Sequence, residues 1–474
     1  MTIEAQATTE QPLLRTLAEK VHGITLASLP GEVVDETKRS IIDNIGCMLA
    51  ASALPEVGQM LDAERTTAPG EVAMVGVDHT LSVESAARVG GYMLDVLEVY
   101  DLVGGHASET VIPTALAVAQ TTNATGPQFV ESVVAGLEIA SRVLHAYYPH
   151  VRAYDDVAVG PCGVPNALAA AATASHLMGL TFDELCEALA IATSLAAWNP
   201  AEVYFGAGGT VKPMMMGGWP PSVGIAAVRY AKAGITGPPR VLESKLGFFS
   251  TVARAYDLET LTDLTPWSMS AMAMRKRHAN CGMMHAALDA LVDLRSEVGA
   301  DNLRAARVTH RLPVDVEPLL NKGASPTTAN EARFDIRYNT AIILAGADLV
   351  LPKHCIEFAT YLGDPDINEI RDRTQAIADP AHSNVILSEV EIELAGGQVI
   401  RKVTPPHRGS VANPLSTQDV IDKFQLLAGD FLSDAQVRSF ISHALEVETL
   451  ATVEPLVAGS PAASRSAMAQ RATK

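Results

Sequence analysis

Through most of the first 268 residues, apolar side chains recur with the spacing of one helical face and polar residues fill the positions between. LLRTLAEKVHGITLASL and EVVDETKRSIIDNIGCMLAAS both carry the pattern, with Pro30-Gly31 breaking the chain between them. VESAARVGGYMLDVLEVYDL, VIPTALAVAQ, FVESVVAGLEIASRVLHAYY, NALAAAATASHLMGL and FDELCEALAIATSLAAW continue it. Thr181 is placed to cap the last of these, with carboxylates in its first turn. Gly237-Pro238-Pro239 marks a further turn.

The pattern changes after Trp267. RVTHRLPV reads as a short strand, and SEVEIELAGGQVIRKVTPP alternates Val390, Ile392 and Leu394 with charged residues around Gly396-Gly397, a hairpin signature. Between them, ANEARFDIRYNTAIILAGA and INEIRDRTQAI read as helices. After Ser416, a cap candidate, TQDVIDKFQLLAG returns to the earlier helical style. The reading is a mainly α protein: a large helical domain from residues 1–268 plus 409–458, and a smaller α+β domain over 269–408. Residues 459–474 are poor in large apolar side chains and read as a disordered tail.

Composition sharpens this picture. Apolar residues make up 48% of the 474 and aromatics only 5%, so Ala, Leu, Val, Ile and Met carry the core, and small side chains let helices approach closely. The net charge of −19, with no basic run, argues against nucleic acid as a partner. An acidic substrate would then need a few buried cations set against that global field. Cys47, Cys162, Cys186, Cys281 and Cys355 are scattered without a CxxC, which reads as free thiols in a reducing, cytoplasmic setting. No Cys/His cluster has metal-ligand spacing, so no metal site is expected. The N-terminus lacks a signal-peptide pattern, and the most apolar stretch, Val164 to Leu180, is interrupted by Asn166, Thr173, Ser175 and His176, so no membrane span is expected.

Several segments together resemble the MmgE/PrpD family. LDVLEVYDLVGGHASETVIPTALAVA resembles its stretch of an Asp-rich turn, a His and V-I-P-x-A-L-A. KPMMMGGWPPSVGIAAVRYAKAGITGPPRVLESKLGFF, RKRHANCGMMHAALDAL, SPTTANEARFDIRYNTAIILAGA and GSVANPLSTQDVIDKFQLLA follow in the family's order, from about residue 35 to 430. The resemblance implies a helical domain built from both chain ends, an inserted α+β lid and a homodimer. It also implies a 2-methylcitrate dehydratase-like lyase without metal or organic cofactor, acting on a small di- or tricarboxylate. A cis-aconitate-type decarboxylase and an iminodisuccinate-type epimerase are the alternatives, and a catalytically silent helical dimer is the reading from another class.

All three reactions develop carbanion or enolate character beside a carboxylate, so they need a proton carrier and positive charge or donors where the anion grows. His106 matches the family's His and can move a proton either way near neutral pH; its helix is expected to begin near Val111. Asp95 matches an acidic position and could orient a histidine or carry a proton. Glu98 reads as solvated or structural, because Leu97 and Val99 stand where the family has further polar residues. Lys212, among glycines, a proline and three Met, is an anchor for a substrate carboxylate. His285 stands as a catalytic residue or as a helix-starting structural one, behind the cation Lys276 and a buried thiol at Cys281. Arg333, read at the start of a lid helix, binds a carboxylate or pairs locally with Glu331. Gly160 stands where the family commonly has a His, and His150, Asp155 and Asp156 are the substitutes in reach.

Overall fold

The architecture comes from a computed structural model that describes residues 10–67, 70–154, 156–197, 199–205, 209–271, 273–382, 389–403 and 406–459. The tail beyond Gly459 and Asp155 lie outside the described residues. Helices form where the apolar periodicity runs, and their starts have chemical causes. Thr181 accepts a hydrogen bond from the Glu184 amide at 3.3 Å, and Glu184 accepts one from the Thr181 amide at 2.8 Å, opening the helix Phe182–Leu195. Ser416 and Asp419 make the same exchange at 3.1 and 2.9 Å ahead of the helix Thr417–Ala428.

Buried apolar side chains gather into two clusters. The larger runs from Leu13 to Ala279 and resumes from Leu415 to Ala458. The smaller runs from Cys281 to Ile392. In the smaller body a four-stranded sheet has the spatial order Thr374–Ala378, Arg307–Leu312, Glu389–Glu393, Val399–Val403. The last two strands form the expected hairpin, pairing Val390 with Lys402 and Ile392 with Ile400, and Val390 and Ile392 are buried. Among the described residues no helix is long and apolar enough to cross a membrane.

Three elements differ from the sequence reading. INEIRDRTQAI is helical only to Arg373; Thr374–Ala378 is a strand running parallel to Arg307–Leu312. Pairing with a neighbouring strand outweighs local helical preference there. The helix of VESAARVGGYMLDVLEVYDL spans Val83–Asp95 and stops, and Glu98 takes a left-handed backbone with φ 52°. The helix after His106 begins at Ser108, one turn earlier than expected. A short hairpin, Val72–Met74 with Val77–Leu81, also sits in the helical body without a sequence expectation behind it.

One crossing of backbones positions the functional region. A Cβ on Gly91, in the helix Val83–Asp95, would lie 1.9 Å from the Gly217 carbonyl oxygen, and one on Gly217 would lie 2.1 Å from that of Gly91. Only glycines allow this contact. It holds the end of Val83–Asp95 against the π-helical turn Met214–Gly218, which follows Lys212.

Candidate active site

Six ionisable residues and a tyrosine meet beside that crossing. Lys212 Nζ donates to Asp95 Oδ1 at 2.7 Å and to Glu98 Oε1, and Lys276 Nζ donates to Glu98 Oε2. Tyr100 Oη lies 3.0 Å from Asp95 Oδ1 and also meets His106 Nδ1, so its one proton serves either neighbour. Glu109 Oε2 lies 3.9 Å from the same nitrogen, and Glu109 Oε1 accepts from Asn166 Nδ2 at 3.1 Å. Asp95, Tyr100, Glu109, Glu98, Lys212 and Lys276 are all buried, with none more than 3% exposed. Glu98 is therefore not a solvated helix residue: the break after Asp95 turns it inward, between two ammonium groups.

Separate elements bring these groups together. Gly104 and Gly105, with φ of 62° and 75°, pack the loop before His106 onto the helix Gly126–Tyr147. The Leu102 amide donates to the Met274 carbonyl at 2.7 Å, which lays the segment carrying Lys276 beside Glu98. The Cys281 amide donates to the Arg333 carbonyl at 3.1 Å, tying that segment to the smaller body.

His106, Lys212, Lys276, Cys281 and His285 line one cavity of about 400 Å³ between the two bodies, and Glu98 is also in its wall. Its remaining surface is mainly aromatic and thioether, with Tyr148, Tyr204, Phe205, Phe334 and Met216 prominent. Asp95 and Arg333 are absent from that wall. They line a smaller chamber of about 170 Å³, with Lys212 and Glu98 forming part of the wall of both. Arg333 sits near the end, not the start, of the short helix Ala329–Phe334, and its buried Nε has no hydrogen-bond partner. Its suggested partner Glu331 instead accepts from the Thr327 amide at 2.6 Å.

The electrostatics follow from burial and from count of charge. Burial would raise the Glu98 carboxyl, but Lys212 and Lys276 outweigh it and hold the group well below the usual range. Burial lifts Asp95 to about 7 against the pull of Lys212, with Glu109 and Glu98 adding to the rise. Glu109 is lifted to about 7 by burial as well. Burial alone would lower Lys212, yet Asp95, Glu98 and Glu109 keep it firmly charged. His106 is lowered to about 4, first by burial and then by Lys276.

His285 begins the helix His285–Val298, as one of the two sequence readings had it, and it also faces the cavity. Its ring is fully enclosed between His278 and His407, at centroid distances of 5.0 and 5.6 Å. Neither ring nitrogen makes a well-formed hydrogen bond, and only the Asn280 backbone favours the charged form. Burial, His278 and His407 together hold it neutral. The Cys281 thiol is raised to about 11 by burial, which makes it an inert wall rather than a nucleophile.

At Gly160 a Cβ would lie 2.5 Å from the Tyr204 ring. Tyr204 thus fills the space beside the missing histidine, and its hydroxyl donates to Met216 Sδ at 2.6 Å. His150 is exposed and Asp156 pairs with Arg254 at 3.2 Å near the surface, so neither reaches the cavity.

Asp95, His106 and Glu109 are the one His/Cys/Asp/Glu group among the described residues with ligand atoms all within 4.8 Å. A cation is already there: Lys212 sits on Asp95 Oδ1, and Tyr100 takes His106 Nδ1. An ammonium and a phenol thus occupy one atom each of Asp95 and His106.

Tyr100, Glu109, Tyr204 and His407 were not singled out from sequence. Glu109 stands three residues after His106, a spacing that places two side chains on one helical face, so its signal was present. Tyr204 and His407 reach the cavity through long-range packing and left no such signal.

The MmgE/PrpD N-terminal domain matches residues 15–261, and the MmgE/PrpD C-terminal domain matches residues 278–447. The chain is 23% identical over 460 residues to a cis-aconitate decarboxylase of Homo sapiens, covering 92% of each. It is 23% identical to a cis-aconitate decarboxylase-like protein of Aspergillus oryzae, covering 95% of this chain and 98% of that one. A cis-aconitate decarboxylase of Aspergillus terreus is 22% identical, covering 90% of this chain and 92% of that protein. With two consecutive domain matches spanning most of its length, the chain belongs to the MmgE/PrpD family and is an enzyme of its lyase or isomerase kind.

Proposed function

We propose that this enzyme is a carboxy-lyase acting on a small carboxylate with an apolar portion. The observation that carries the reading is the convergence of His106, Lys212 and Lys276 on one cavity. In such a step the C–C bond to the leaving carboxylate breaks, carbon dioxide departs, and the electron pair remains on the substrate as a carbanion or enolate. Lys212 and Lys276 stabilise that developing charge, and His106 supplies one proton from Nε2, the ring nitrogen not engaged by Tyr100. Dehydration needs a base and a separate acid, and the neutral, enclosed His285 is poorly suited to the second task. The decarboxylase names of the relatives support the same choice.

Charge count narrows the substrate. Glu98 already neutralises much of the field of both lysines, and Arg275 is engaged by Glu36 at 2.5 Å. One or two substrate carboxylates fit that balance better than three, and the aromatic and thioether wall suits hydrocarbon. The homodimer implied by the family resemblance is retained as part of the proposal, with sedimentation velocity as its test.

The activity test follows products by proton NMR in deuterated water, across carboxylates from monoacids to cis-aconitate and 2-methylcitrate. Turnover that releases carbon dioxide, and is lost in His106→Ala and Lys212→Ala, is the expected result. Loss of water without carbon dioxide would replace the reading with a dehydratase. Deuterium uptake without net conversion would replace it with an epimerase.

A further inference from the structure

A neutral histidine is a weak acid, so the proton it gives away has to be replaced from somewhere. Behind His106, on the side away from the cavity, lie two carboxyl groups that the reaction described so far does not use. Asp95 Oδ2 and Glu109 Oε2 are both buried and receive no well-formed hydrogen bond from a donor, while the two carboxyls lie within 4.8 Å and in side-chain contact with each other. A carboxylate oxygen left bare in that setting is costly, whereas one proton between two carboxyl groups satisfies both.

Charge count leads to the same conclusion independently. The cluster holds three carboxyl groups, Asp95, Glu98 and Glu109, and two ammonium groups, Lys212 and Lys276. Glu98 is clamped by both lysines and stays ionised. With Asp95 and Glu109 both ionised, the buried cluster would carry one uncompensated negative charge, which protein interiors tolerate poorly.

Tyr100 connects this pair to the cavity. Its hydroxyl reaches Asp95 Oδ1 at 3.0 Å and His106 Nδ1 on the other side, and the residue is wholly buried, which shields the path from bulk water. Burial and the neighbouring Glu109, Asp95 and Glu98 hold the Tyr100 phenol well above its ordinary range, so it keeps a proton between steps and passes one on only as it receives another.

Resting on the carbanion reading above, we propose that Asp95 and Glu109 share one proton and that Tyr100 passes it to His106, making the pair the proton reservoir of the active site. The transfer balances as follows. His106 Nε2–H gives its proton to the substrate carbanion, the Tyr100 hydroxyl proton moves to Nδ1, and the shared proton moves to the Tyr100 oxygen from Glu109, whose carboxyl is in side-chain contact with that hydroxyl. The pair ends with both carboxylates ionised beside Lys212, and a proton entering through the smaller chamber, which Asp95 lines, resets it. Run backwards, the same chain lets His106 accept a proton. Asp95, Tyr100 and Glu109 act through His106 and are positioning residues.

The groups facing the pair are Glu98, Tyr100 and His106 from the same stretch of chain and Asn166 from the helix Gly163–Leu177. Lys212 and Lys276 complete the set, and Cys162 contributes at longer range as a neutral thiol. Both carboxyls lie near 7, the range a reservoir working at neutral pH requires.

The test has one arm that needs no substrate. Infrared difference spectra between about pH 5 and about pH 9 should contain the carbonyl stretch of a protonated carboxylic acid titrating near neutrality. That band should vanish in Glu109→Gln and remain in Tyr100→Phe. Its absence from the wild type would overturn the shared proton. The second arm uses the carboxylate that the NMR panel identifies as substrate. Tyr100→Phe should lower kcat about 10- to 100-fold with little change in KM, and flatten the neutral limb of the pH profile. Glu109→Asp should restore part of what Glu109→Gln loses, a rescue that a packing role alone would not give. Unchanged kcat and pH profile in Tyr100→Phe, with His106→Ala inactive, would overturn the relay and leave the proposed function standing. Full activity in His106→Ala would instead overturn the proposed function itself.

Discussion

Glu98→Gln keeps the size of a side chain that two buried ammonium groups share and removes its charge. Glu98 is 3% exposed, and the side chains of Lys212 and Lys276 are each 2% exposed, so solvent screens this contact very little. Taking one partner from a buried ion pair costs about 3–5 kcal/mol. Lys212 keeps Asp95 at 2.7 Å, so most of the loss falls on Lys276 and the lower end, about 3 kcal/mol, is expected. With about 2.1 cal/mol/K per residue of unfolding entropy, the 474-residue chain loses about 1 kcal/mol for each degree, so Tm should fall by about 3 °C. The same change leaves a cavity with more free positive charge. An unreactive dicarboxylate such as succinate, at about 100 times its Kd, should return about 2.7 kcal/mol to the variant and much less to the wild type. Thermal melts of both proteins with and without succinate at matched ionic strength measure the effect. An unchanged Tm together with no difference in succinate response would refute the reasoning that Glu98 holds both lysines and limits substrate charge.

Three further outcomes are expected. Gly91→Ala places a Cβ 1.9 Å from the Gly217 carbonyl oxygen, so Tm should fall by more than a surface change such as Leu246→Ser produces, and activity should fall with it as Lys212 leaves Asp95. Asp95 and Glu109 sit near 7 when folded and near 4 when unfolded, so the native state holds more protons between those values. Their contribution to stability is complete below about pH 4 and is lost as pH rises through about 7. Urea unfolding at about pH 5, 6 and 7 should therefore show a steeper decline in the wild type than in Asp95→Asn/Glu109→Gln. Of the five free cysteines only Cys186 is not buried, but partial burial lifts its thiol to about 11, so a thiol reagent near pH 8 should modify that one slowly in the native protein and all five quickly after unfolding.

The sequence by itself determined most of the elements. A helical period of apolar residues has to bury one face whatever the partner, and caps such as Thr181 and Ser416 act through bonds three residues away, so local order was enough to read them. The hairpin around Gly396-Gly397 was legible for the same reason, because its two strands are neighbours in the chain. The family segments carried His106, Lys212, Lys276 and His285 as individual positions, and all four share the cavity wall. What they do together was decided only by tertiary structure. The strand Thr374–Ala378 owes its conformation to a partner more than sixty residues earlier, which no local period contains. Glu98 looked like a solvated residue because nothing near it in sequence explains burial; Lys212 and Lys276, 114 and 178 residues away, supply the charge that makes burial possible. Asp95 was read as orienting a histidine or carrying a proton, and the hydroxyl of Tyr100 stands between it and His106. Tyr204 reaches the space beside Gly160 only because the chain folds back across it, and at a contact of that kind a missing side chain and its replacement are far apart in sequence and adjacent in space.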